Sequence, residues 1–272
     1  MAIASNVVVI TGASDGIGAE LARQWAQREG EKLALVLAAR SEDKLAAVAQ
    51  DCRAYGGEVL TLRCDVSQQG DCQQLVEQTV ARFGRIDTLV NNAGISGHAM
   101  LGEVEDLSWY EHLFRVNFWG SVWTTHAALP HPKASRGRVV AVSSLAGLVG
   151  APGRTAYSSS KFAMNGFFEA LRPEVGLHGV SITVAYPGVV DTQIRYRGFN
   201  AKGEAKGSSS LDESDAMPVQ QCARLILDGT LARKREIVMT SKGKIGRWLK
   251  LLAPAMVDRM ALAALHKEEK LQ

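Results

Sequence analysis

Residues 7–18 read V-V-V-I-T-G-A-S-D-G-I-G, and this stretch decides the fold. The apolar run at its start predicts a buried strand, and residues 19–29 have the composition and period of a helix. Between them, glycines permit a tight turn and a close approach of the backbone to a diphosphate at the helix N-terminus. A glycine-rich turn alone is often only a turn, but here a strand precedes it and a helix follows. The stretch therefore predicts a dinucleotide-binding loop, formed by Gly12, Ser14, Asp15, Gly16, Ile17 and Gly18.

Apolar runs alternate with helical patterns along the rest of the chain. Almost continuous Val, Ile, Leu and Ala in the strands is typical of a parallel sheet covered on both faces. The pattern predicts a doubly wound, Rossmann-type α/β fold, a three-layer sandwich with a seven-stranded parallel sheet. The strands are expected at residues 7–10, 33–38, 59–64, 88–90, 139–142, 181–185 and 236–239, and one long helical stretch at 109–128.

The end of the second strand bears on the choice of cofactor. NAD-binding sites commonly place an acid there, whereas an arginine accommodates the 2′-phosphate of NADP. The chain reads Ala38-Ala39-Arg40-Ser41 and has no acid before Glu42. Arg40 and Ser41 therefore predict NADP(H), because a guanidinium and a hydroxyl both bind phosphate. The alternative is a surface arginine at the edge of the sheet.

Residues 140–161 carry a candidate acid–base pair. An apolar run ends at Ser143-Ser144, and after a Gly/Pro-rich loop come Tyr157 and, four residues later, Lys161. Four residues are about one helical turn, so both side chains lie on one face of a helix. A nearby ammonium lowers the pKa of a phenol, which suits proton transfer to or from a carbonyl oxygen. Ser144 would bond the same oxygen if its strand ends beside that helix; otherwise the pair is a tyrosine packed under a lysine.

The composition excludes several classes of protein. The 272 residues are 46% hydrophobic, enough to bury the core of one domain spanning residues 1–272. A net charge of +3 is too small for a dedicated nucleic-acid-binding protein. Four cysteines without a C-x-x-C pair predict reduced thiols and no metal site. No signal sequence and no run that crosses a bilayer is visible, so we expect a cytoplasmic protein.

The order and spacing of these motifs resemble those of the short-chain dehydrogenase/reductase family across nearly the whole chain. The family's glycine loop matches residues 11–18, and its four catalytic positions match Asn117, Ser144, Tyr157 and Lys161. Its other cofactor-binding positions match Asp65, Val66, Asn92, Ala93, Gly94, Pro187, Gly188, Val189 and Thr192. The C-terminal third is similar to the dehydrogenase/reductase member 7 and 11β-hydroxysteroid-dehydrogenase-like branch.

The resemblance implies a role for each catalytic position. Tyr157 exchanges a proton with the substrate oxygen, and Ser144 orients that oxygen. Lys161 holds the nicotinamide ribose together with Tyr157 and lowers the pKa of the phenol. Asn117 anchors a water that links Lys161 to solvent, and it also caps a helix distortion. Asn91 contacts the ribose of the cofactor.

Among the cofactor-binding positions, the resemblance implies that Asp65 accepts a hydrogen bond from the adenine amino group. Thr192 would bond the nicotinamide carboxamide or a phosphate. The asparagine, alanine and glycine of residues 92–94 are also interpreted as structural residues of the loop.

The loops at the carboxyl ends of the strands are rich in apolar residues, which favours a small hydrophobic ketone, aldehyde or alcohol as substrate. They are Ile95, Ser96, Met100, Leu101, Leu145, Leu148, Val149, Tyr186, Ile194, Tyr196 and Phe199. Residues 192–216 form a long polar insertion, predicted to be a lid or disordered. Its cations, Arg195, Arg197, Lys202 and Lys206, keep an acidic carrier or coenzyme thioester open as an alternative.

Residues 243–272 are predicted to be a C-terminal amphipathic segment. From Arg233 to Lys250 there are seven basic residues and one acid, Glu236. A basic and apolar stretch of this kind covers a subunit, packs on its own domain or lies weakly on a membrane surface. We expect packing in a homodimer or homotetramer, with peripheral membrane contact as the alternative.

The sequence thus predicts an NADP(H)-dependent carbonyl reductase or alcohol dehydrogenase. One alternative within enzymes is a 3-oxoacyl-thioester reductase. A second, from another class, is a nucleotide-sensing module that keeps the fold without catalysis. The complete set of four catalytic residues speaks against a sensor, since a sensor needs no proton relay.

Overall fold

The protein is built on one sheet of seven parallel strands, which confirms the predicted fold class. The structure is a computed structural model that describes residues 6–207 and 216–269. The strands are β1 (Asn6–Thr11), β2 (Leu33–Ala39), β3 (Glu58–Arg63), β4 (Thr88–Asn91), β5 (Arg138–Val142), β6 (Ser181–Tyr186) and β7 (Glu236–Val238). The five inner strands consist mainly of buried residues, as expected for a parallel sheet covered on both faces, whereas the edge strands β3 and β7 are only partly buried.

Helices connect the strands and cover both faces of the sheet. Within the described residues they are α1 (Gly16–Glu29), α2 (Glu42–Arg53), α3 (Gln69–Phe83), α4 (Ser108–Phe114), α5 (Gly120–Ala128), α6 (Pro130–Ser135), α7 (Thr155–Gly176), α8 (Val219–Leu231), α9 (Ser241–Leu252) and α10 (Pro254–Glu269).

The spatial order of the strands is β3-β2-β1-β4-β5-β6-β7. The chain first winds outward from β1 to β3 and then returns to place β4 on the other side of β1, where Val8 pairs with Thr88. The crevice at such a reversal, outside the carboxyl ends of the strands, is where open α/β sheets bind ligands. This topology therefore places the candidate site next to the glycine loop.

Side chains of successive strand residues point to opposite faces, so the sheet divides the core into two halves. In β1, Val8 and Ile10 pack with Trp25 of α1 in one cluster. Val9 points the other way and packs in a second cluster with Phe168 of α7. Each half is a continuous apolar layer, which gives the predicted three-layer arrangement.

Some helices differ from the prediction. The expected long helix at 109–128 is divided into α4 and α5 by a π-helical turn, Arg115–Trp119. Helix α8 was not predicted, although its apolar residues recur with a helical period and pack against α1. For residues 109–128, the sequence pattern indicated a continuous helix without showing where the hydrogen-bond register changes.

Two predicted segments are described only in part. Of the insertion at 192–216, residues 208–215 lie outside the described residues. We call residues 192–207 the lid segment. Of the C-terminal segment at 243–272, the structure describes α9 and α10 up to Glu269. In the described part of the chain, every helix is too short or too polar to cross a membrane. The division into one domain of 272 residues stays a prediction.

Candidate active site

A cleft of about 900 Å³ opens at the carboxyl ends of the strands. It brings together nearly every residue that the sequence predicted for the cofactor and the chemistry. Gly18, Asn91 and Asn117 are the members of that set that do not line it. The predicted residues that line it are Gly12, Ser14, Asp15, Gly16, Ile17, Arg40, Ser41, Asp65, Val66, Asn92, Ala93, Gly94, Ser144, Tyr157, Lys161, Pro187, Gly188, Val189 and Thr192.

The glycine loop has the conformation that the sequence required. Gly12 and Gly16 have φ angles of 66° and 53°, a region that favours glycine. Asp15 caps α1, since its Oδ1 accepts a hydrogen bond from the amide of Gly16 at 2.7 Å. Burial raises the pKa of Asp15, but hydrogen bonds and the charges of Arg197 and Lys44 outweigh it, so the net pKa is lowered. The loop therefore presents a helix N-terminus with an ionised carboxylate beside it.

Gly18 acts in packing instead of lining the cleft. A Cβ at this position would lie 2.4 Å from the carbonyl oxygen of Gly12 and 2.4 Å from Nδ2 of Asn92. The glycine loop is in turn bonded to the loop after β4: Nδ2 of Asn92 donates to the carbonyl of Thr11 at 2.9 Å, and the amide of Ala93 donates to the Thr11 hydroxyl at 3.1 Å. Asn92 thus fixes the two sides of the cleft to each other.

The nucleotide end of the cleft contains cations without an opposing acid at the end of β2. Arg40 is exposed and has no hydrogen-bond or ion-pair partner among the residues that the structure describes. Ser41 and Lys44 line the same part of the cleft, and Nζ of Lys44 lies 4.0 Å from Oδ2 of Asp15. Asp65 is held by Ser67, whose hydroxyl donates to Oδ1 at 2.8 Å. The guanidinium of Arg40, without a partner in the described part of the chain, can pair with an anionic group of a ligand.

The reactive end is built from the end of β5 and the first turns of α7. Ser144 follows β5 and accepts a hydrogen bond from the amide of Ala146 at 3.2 Å. Tyr157 and Lys161 share one face of α7, with the Lys161 Nζ 5.9 Å from the centre of the tyrosine ring. The Ser144 side chain is hydrogen-bonded to the phenol of Tyr157. A serine hydroxyl, a phenol and an ammonium therefore face the same space.

The electrostatics of this group differ from the sequence-based expectation. Burial raises the pKa of the Tyr157 phenol, and the hydrogen bond with Ser144 and the charge of Arg154 offset this only in part. Burial also lowers the pKa of Lys161 to about 8, because an ammonium surrounded by protein loses its hydration. The expected lowering of the phenol pKa by Lys161 is therefore wrong for this structure; Nζ instead donates to the carbonyl of Val142 at 2.9 Å.

Asn117 is fully buried in the π-helical turn and holds the wall of the cleft. Its side chain accepts from the amide of Ile95 at 2.8 Å and donates to the carbonyl of Ile95 at 3.0 Å. Its Nδ2 also donates to Ser160 at 3.0 Å. A Cβ on Gly94 would lie 3.2 Å from Oδ1 of Asn117 and 3.6 Å from Nζ of Lys161. Asn117 thus positions the loop beside Lys161 without lining the cleft.

Asn91, for which the resemblance implied a contact with the cofactor ribose, does not line the cleft. It is buried at the end of β4, and its Nδ2 donates to the hydroxyl of Thr125 at 2.9 Å. The side chain points to the opposite face of β4 from the cleft, as alternation along a strand requires. The structural role expected of Asn92 fits its contacts.

The outer half of the cleft is lined mainly by apolar side chains. Of the predicted substrate residues, Ile95, Ser96, Leu145, Val149, Ile194 and Phe199 line it. Met100 and Leu101 are exposed instead, Tyr186 is buried in the core, and neither Leu148 nor Tyr196 lines the cleft. The apolar character is retained although about half of the individual residues differ.

Helix α10 supplies a wall that sequence reasoning missed. Ala261, Ala264 and Leu265 line the cleft, and Leu265 lies 3.7 Å from the Cβ position of Gly153. Together with buried Val257, these residues follow helical spacing along one face. That stripe was the available signal, but periodicity does not say which surface a helix covers.

Comparisons with known proteins all point to one family. Residues 6–202 match the family described as short chain dehydrogenase. The chain is 38% identical to 11-beta-hydroxysteroid dehydrogenase A of Sesamum indicum, over 94% of this chain and 74% of the relative. It is 40% identical to 11-beta-hydroxysteroid dehydrogenase A of Arachis hypogaea, with the same coverage.

Two solved structures have the same fold. A short chain dehydrogenase/reductase from Burkholderia phymatum, in complex with NAD, has a TM-score of 0.80 and 25% identity, covering 94% of this chain and 96% of that chain. An alcohol dehydrogenase from Thermococcus sibiricus, complexed with 5-hydroxy-NADP, has a TM-score of 0.73 and 26% identity, covering 86% and 94%.

The burial of Lys161 predicts a pH-dependent stability difference. Since its pKa is lowered from 10.5 to about 8, the unfolded chain binds more protons than the folded chain between these values. The destabilisation by Lys161 is complete below about pH 8 and is lost as the pH approaches 10.5. Lys161→Met should therefore raise the free energy of unfolding at pH 7 by roughly 1–3 kcal/mol, and by much less at high pH.

Denaturant unfolding of both proteins at pH 7 and pH 10 measures this difference directly. The comparison at each pH cancels the titration of all other groups. An equal gain at the two pH values would contradict the assignment of the cost to a buried ammonium.

Proposed function

Because the chain belongs to the short-chain dehydrogenase/reductase family, we propose that it is an NADP(H)-dependent enzyme that interconverts a hydrophobic ketone or aldehyde and its alcohol. Family membership makes it an oxidoreductase that acts on CH–OH groups with a nicotinamide cofactor. The observation that carries the finer proposal is the meeting of Ser144, Tyr157 and Lys161 in the same cleft as the glycine loop and Arg40.

The bound nicotinamide cofactor would supply or accept the hydride. In reduction, the hydroxyl of Tyr157 gives its proton to the carbonyl oxygen of the substrate, and in oxidation it takes the proton back. The raised pKa of Tyr157 keeps the phenol protonated, which suits the donor role. The hydroxyl of Ser144 donates a hydrogen bond to the same oxygen and stabilises the charge that develops there.

Lys161 is the proton source behind Tyr157 in this proposal. Its ammonium lies 5.9 Å from the centre of the tyrosine ring, and a pKa of about 8 lets it lose and regain a proton near neutral pH. The cofactor ribose would bind beside Nζ, where Gly94 leaves space because it has no side chain. Asn117 is a positioning residue, since its side chain is occupied by both backbone groups of Ile95.

The nucleotide end supports NADP(H) over NAD(H). Directly after β2, Arg40 presents a guanidinium that pairs with none of residues 6–207 and 216–269, with Ser41 beside it, and this combination matches a 2′-phosphate. An NAD site would be expected to place an acid there for the ribose hydroxyls. Cations without that acid favour the phosphorylated cofactor.

The cleft favours a hydrophobic substrate over a coenzyme thioester or an acidic carrier. Of the four lid cations, Arg195 is only 8% exposed, and Arg197 is paired with Asp15. These two do not form an open basic patch for an acidic carrier. The walls contributed by Leu145, Val149 and α10 are apolar, which suits a hydrophobic ketone or alcohol.

We propose further that the chain forms a homodimer or homotetramer through an exposed apolar surface, the C-terminal face. Its residues are Ile245, Trp248, Leu251, Leu252, Met256 and Met260, of which Trp248 and Leu252 are 63% and 84% exposed. Large exposed apolar patches mark interaction surfaces. Weak contact with a membrane surface is the alternative occupant, supported by Lys242 and Lys244 at the start of α9.

Tyr157→Phe tests the proposed chemistry. The variant keeps the ring but loses the transferable proton, so turnover should fall by about 10²-fold or more while the dissociation constant for NADPH changes little. A panel of hydrophobic ketones, aldehydes, alcohols and a 3-oxoacyl thioester, followed at the nicotinamide absorbance, measures both the loss and the substrate class.

Tyr110→Phe is the matched control for this substitution. Its hydroxyl lies 2.6 Å from that of Thr155, and it does not line the cleft, so turnover should be retained. Undiminished turnover in Tyr157→Phe would assign the acid elsewhere. Turnover only with the thioester would favour the carrier substrate, and NADPH binding without turnover of any substrate would favour a sensor.

Arg40→Asp tests the cofactor preference. The new carboxylate would repel a 2′-phosphate, so the KM for NADPH should rise about tenfold or more, with a much smaller change for NADH. Arg63→Asp, at the end of the neighbouring strand β3 and outside the cleft, controls for the change in net charge. Equal losses with both cofactors would remove the argument for NADP(H).

The use of the C-terminal face is tested by the double substitution Trp248→Ser/Leu252→Ser, with Leu177→Ser as control. Leu177 is 91% exposed and follows α7, away from this face. Sedimentation should show that the double variant is a monomer and the control is not. Unchanged assembly together with lost binding to anionic phospholipid vesicles would favour the membrane, and no change in either measurement would reject both.

A further inference from the structure

The lid segment, residues 192–207, is attached to the substrate half of the cleft by its backbone. The amide of Phe199 donates to the carbonyl of Ser96 at 2.9 Å, and the amide of His98 donates to the carbonyl of Phe199 at 2.8 Å. The ring of Phe199 also packs against Trp109, with 5.7 Å between ring centroids. Phe199 therefore belongs to the wall that carries the substrate.

An ion pair also attaches the same segment to the cofactor half of the cleft. Nη2 of Arg197 donates to Oδ2 of Asp15 at 2.5 Å. Thr192, where the lid segment begins, lies 3.2 Å from the Cβ position of Gly16. Arg197 is only two residues from Phe199, so the lid segment spans the cleft between the glycine loop and the substrate wall.

Asp15 has separate contacts for its two oxygens. Oδ1 caps α1 through the amide of Gly16, while Oδ2 accepts from Arg197. Lys44 lies 4.0 Å from the same Oδ2, a much looser contact. The cap belongs to the fold of the glycine loop, and the ion pair with the lid segment uses the second oxygen. The two functions can therefore be separated by a substitution that keeps the cap.

We propose that Arg197 is a positioning residue that holds the lid segment closed over the bound dinucleotide through Asp15, so that release of the cofactor requires this ion pair to break. The inference rests on the proposed function only in taking the cleft as a dinucleotide site. Closure of a lid commonly limits product release in enzymes, and a single ion pair across the opening slows that step. The pair also neutralises a carboxylate beside which a diphosphate would bind.

The experiment uses Arg197→Gln and Asp15→Asn in the full chain. Asparagine caps a helix as well as aspartate does, so Asp15→Asn keeps the bond to Gly16 and removes only the charge. Arg82→Gln is the matched control, because Arg82 pairs with Glu58 at 2.6 Å, is similarly exposed and lies outside the cleft. Bound NADPH is displaced with an excess of the oxidised cofactor, which does not fluoresce. The rate of NADPH release is then read from the change in NADPH fluorescence.

Arg197→Gln should release NADPH about two- to fivefold faster than the wild type, as expected for a partly exposed ion pair. In the D15N background the same substitution should have almost no effect, because its partner charge is already gone. High salt should speed NADPH release from the wild type and leave the release rates of Arg197→Gln and Asp15→Asn unchanged. The control Arg82→Gln should keep the wild-type rates of NADPH release and of hydride transfer, because Arg82 lies outside the cleft.

Three results would overturn the proposal. One is an equal effect of Arg197→Gln in the wild-type and D15N backgrounds, which would mean that Arg197 acts on the cofactor without Asp15. The second is a wild-type release rate in Arg197→Gln, and the third is an equal acceleration in Arg82→Gln. If the chain binds NADH instead of NADPH, the same rates are measured with NADH, so an error in the cofactor preference leaves this test intact.

Discussion

The pairing of β1 with β4 is the constraint on which the site depends. At this point the winding of the sheet reverses, and the two loops that leave the strands would separate without a link. Thr11 and Asn92 supply it through hydrogen bonds between the glycine loop and the loop after β4. The space at the reversal thereby becomes a cleft with fixed walls, and the ends of β2, β3, β5 and β6 add their residues around it.

Within that cleft the protein keeps a buried cation at a cost in stability. Lys161 is 3% exposed, and its low pKa reflects the lost hydration of the ammonium. The carbonyl of Val142 compensates in part, while Asn117 keeps the neighbouring loop in place. Ionisable groups whose charged form is destabilised by their surroundings are characteristic of active sites. The same burial raises the pKa of Tyr157, so the pKa values of the two groups move apart, that of the phenol upward and that of the ammonium downward.

The walls of the cleft come from parts of the chain that are distant in sequence. Phe199 comes from the lid segment and Leu265 from α10, and both line the cleft. Neither belongs to a strand-end motif, and each reaches the cleft through contacts made elsewhere. The lid segment is anchored at Ser96 and Asp15, whereas α10 is anchored by Val257 and Leu265. The shape of the substrate site therefore depends on packing, and its reactive group on local spacing.

The sequence by itself determined the sheet, the glycine loop and the grouping of Ser144, Tyr157 and Lys161, because each follows from periodicity, backbone freedom or a one-turn spacing that holds in any context. Only the tertiary structure decided that the side chain of Asn91 points away from the cleft and that Asn117 positions the wall of the cleft without lining it. It also decided the direction of the phenol pKa, because burial depends on every neighbour and not on the nearest lysine alone. For the same reason, the sequence did not determine which surfaces α10 and the lid segment cover. An apolar stripe shows that a helix packs, but it does not show which surface the helix packs against.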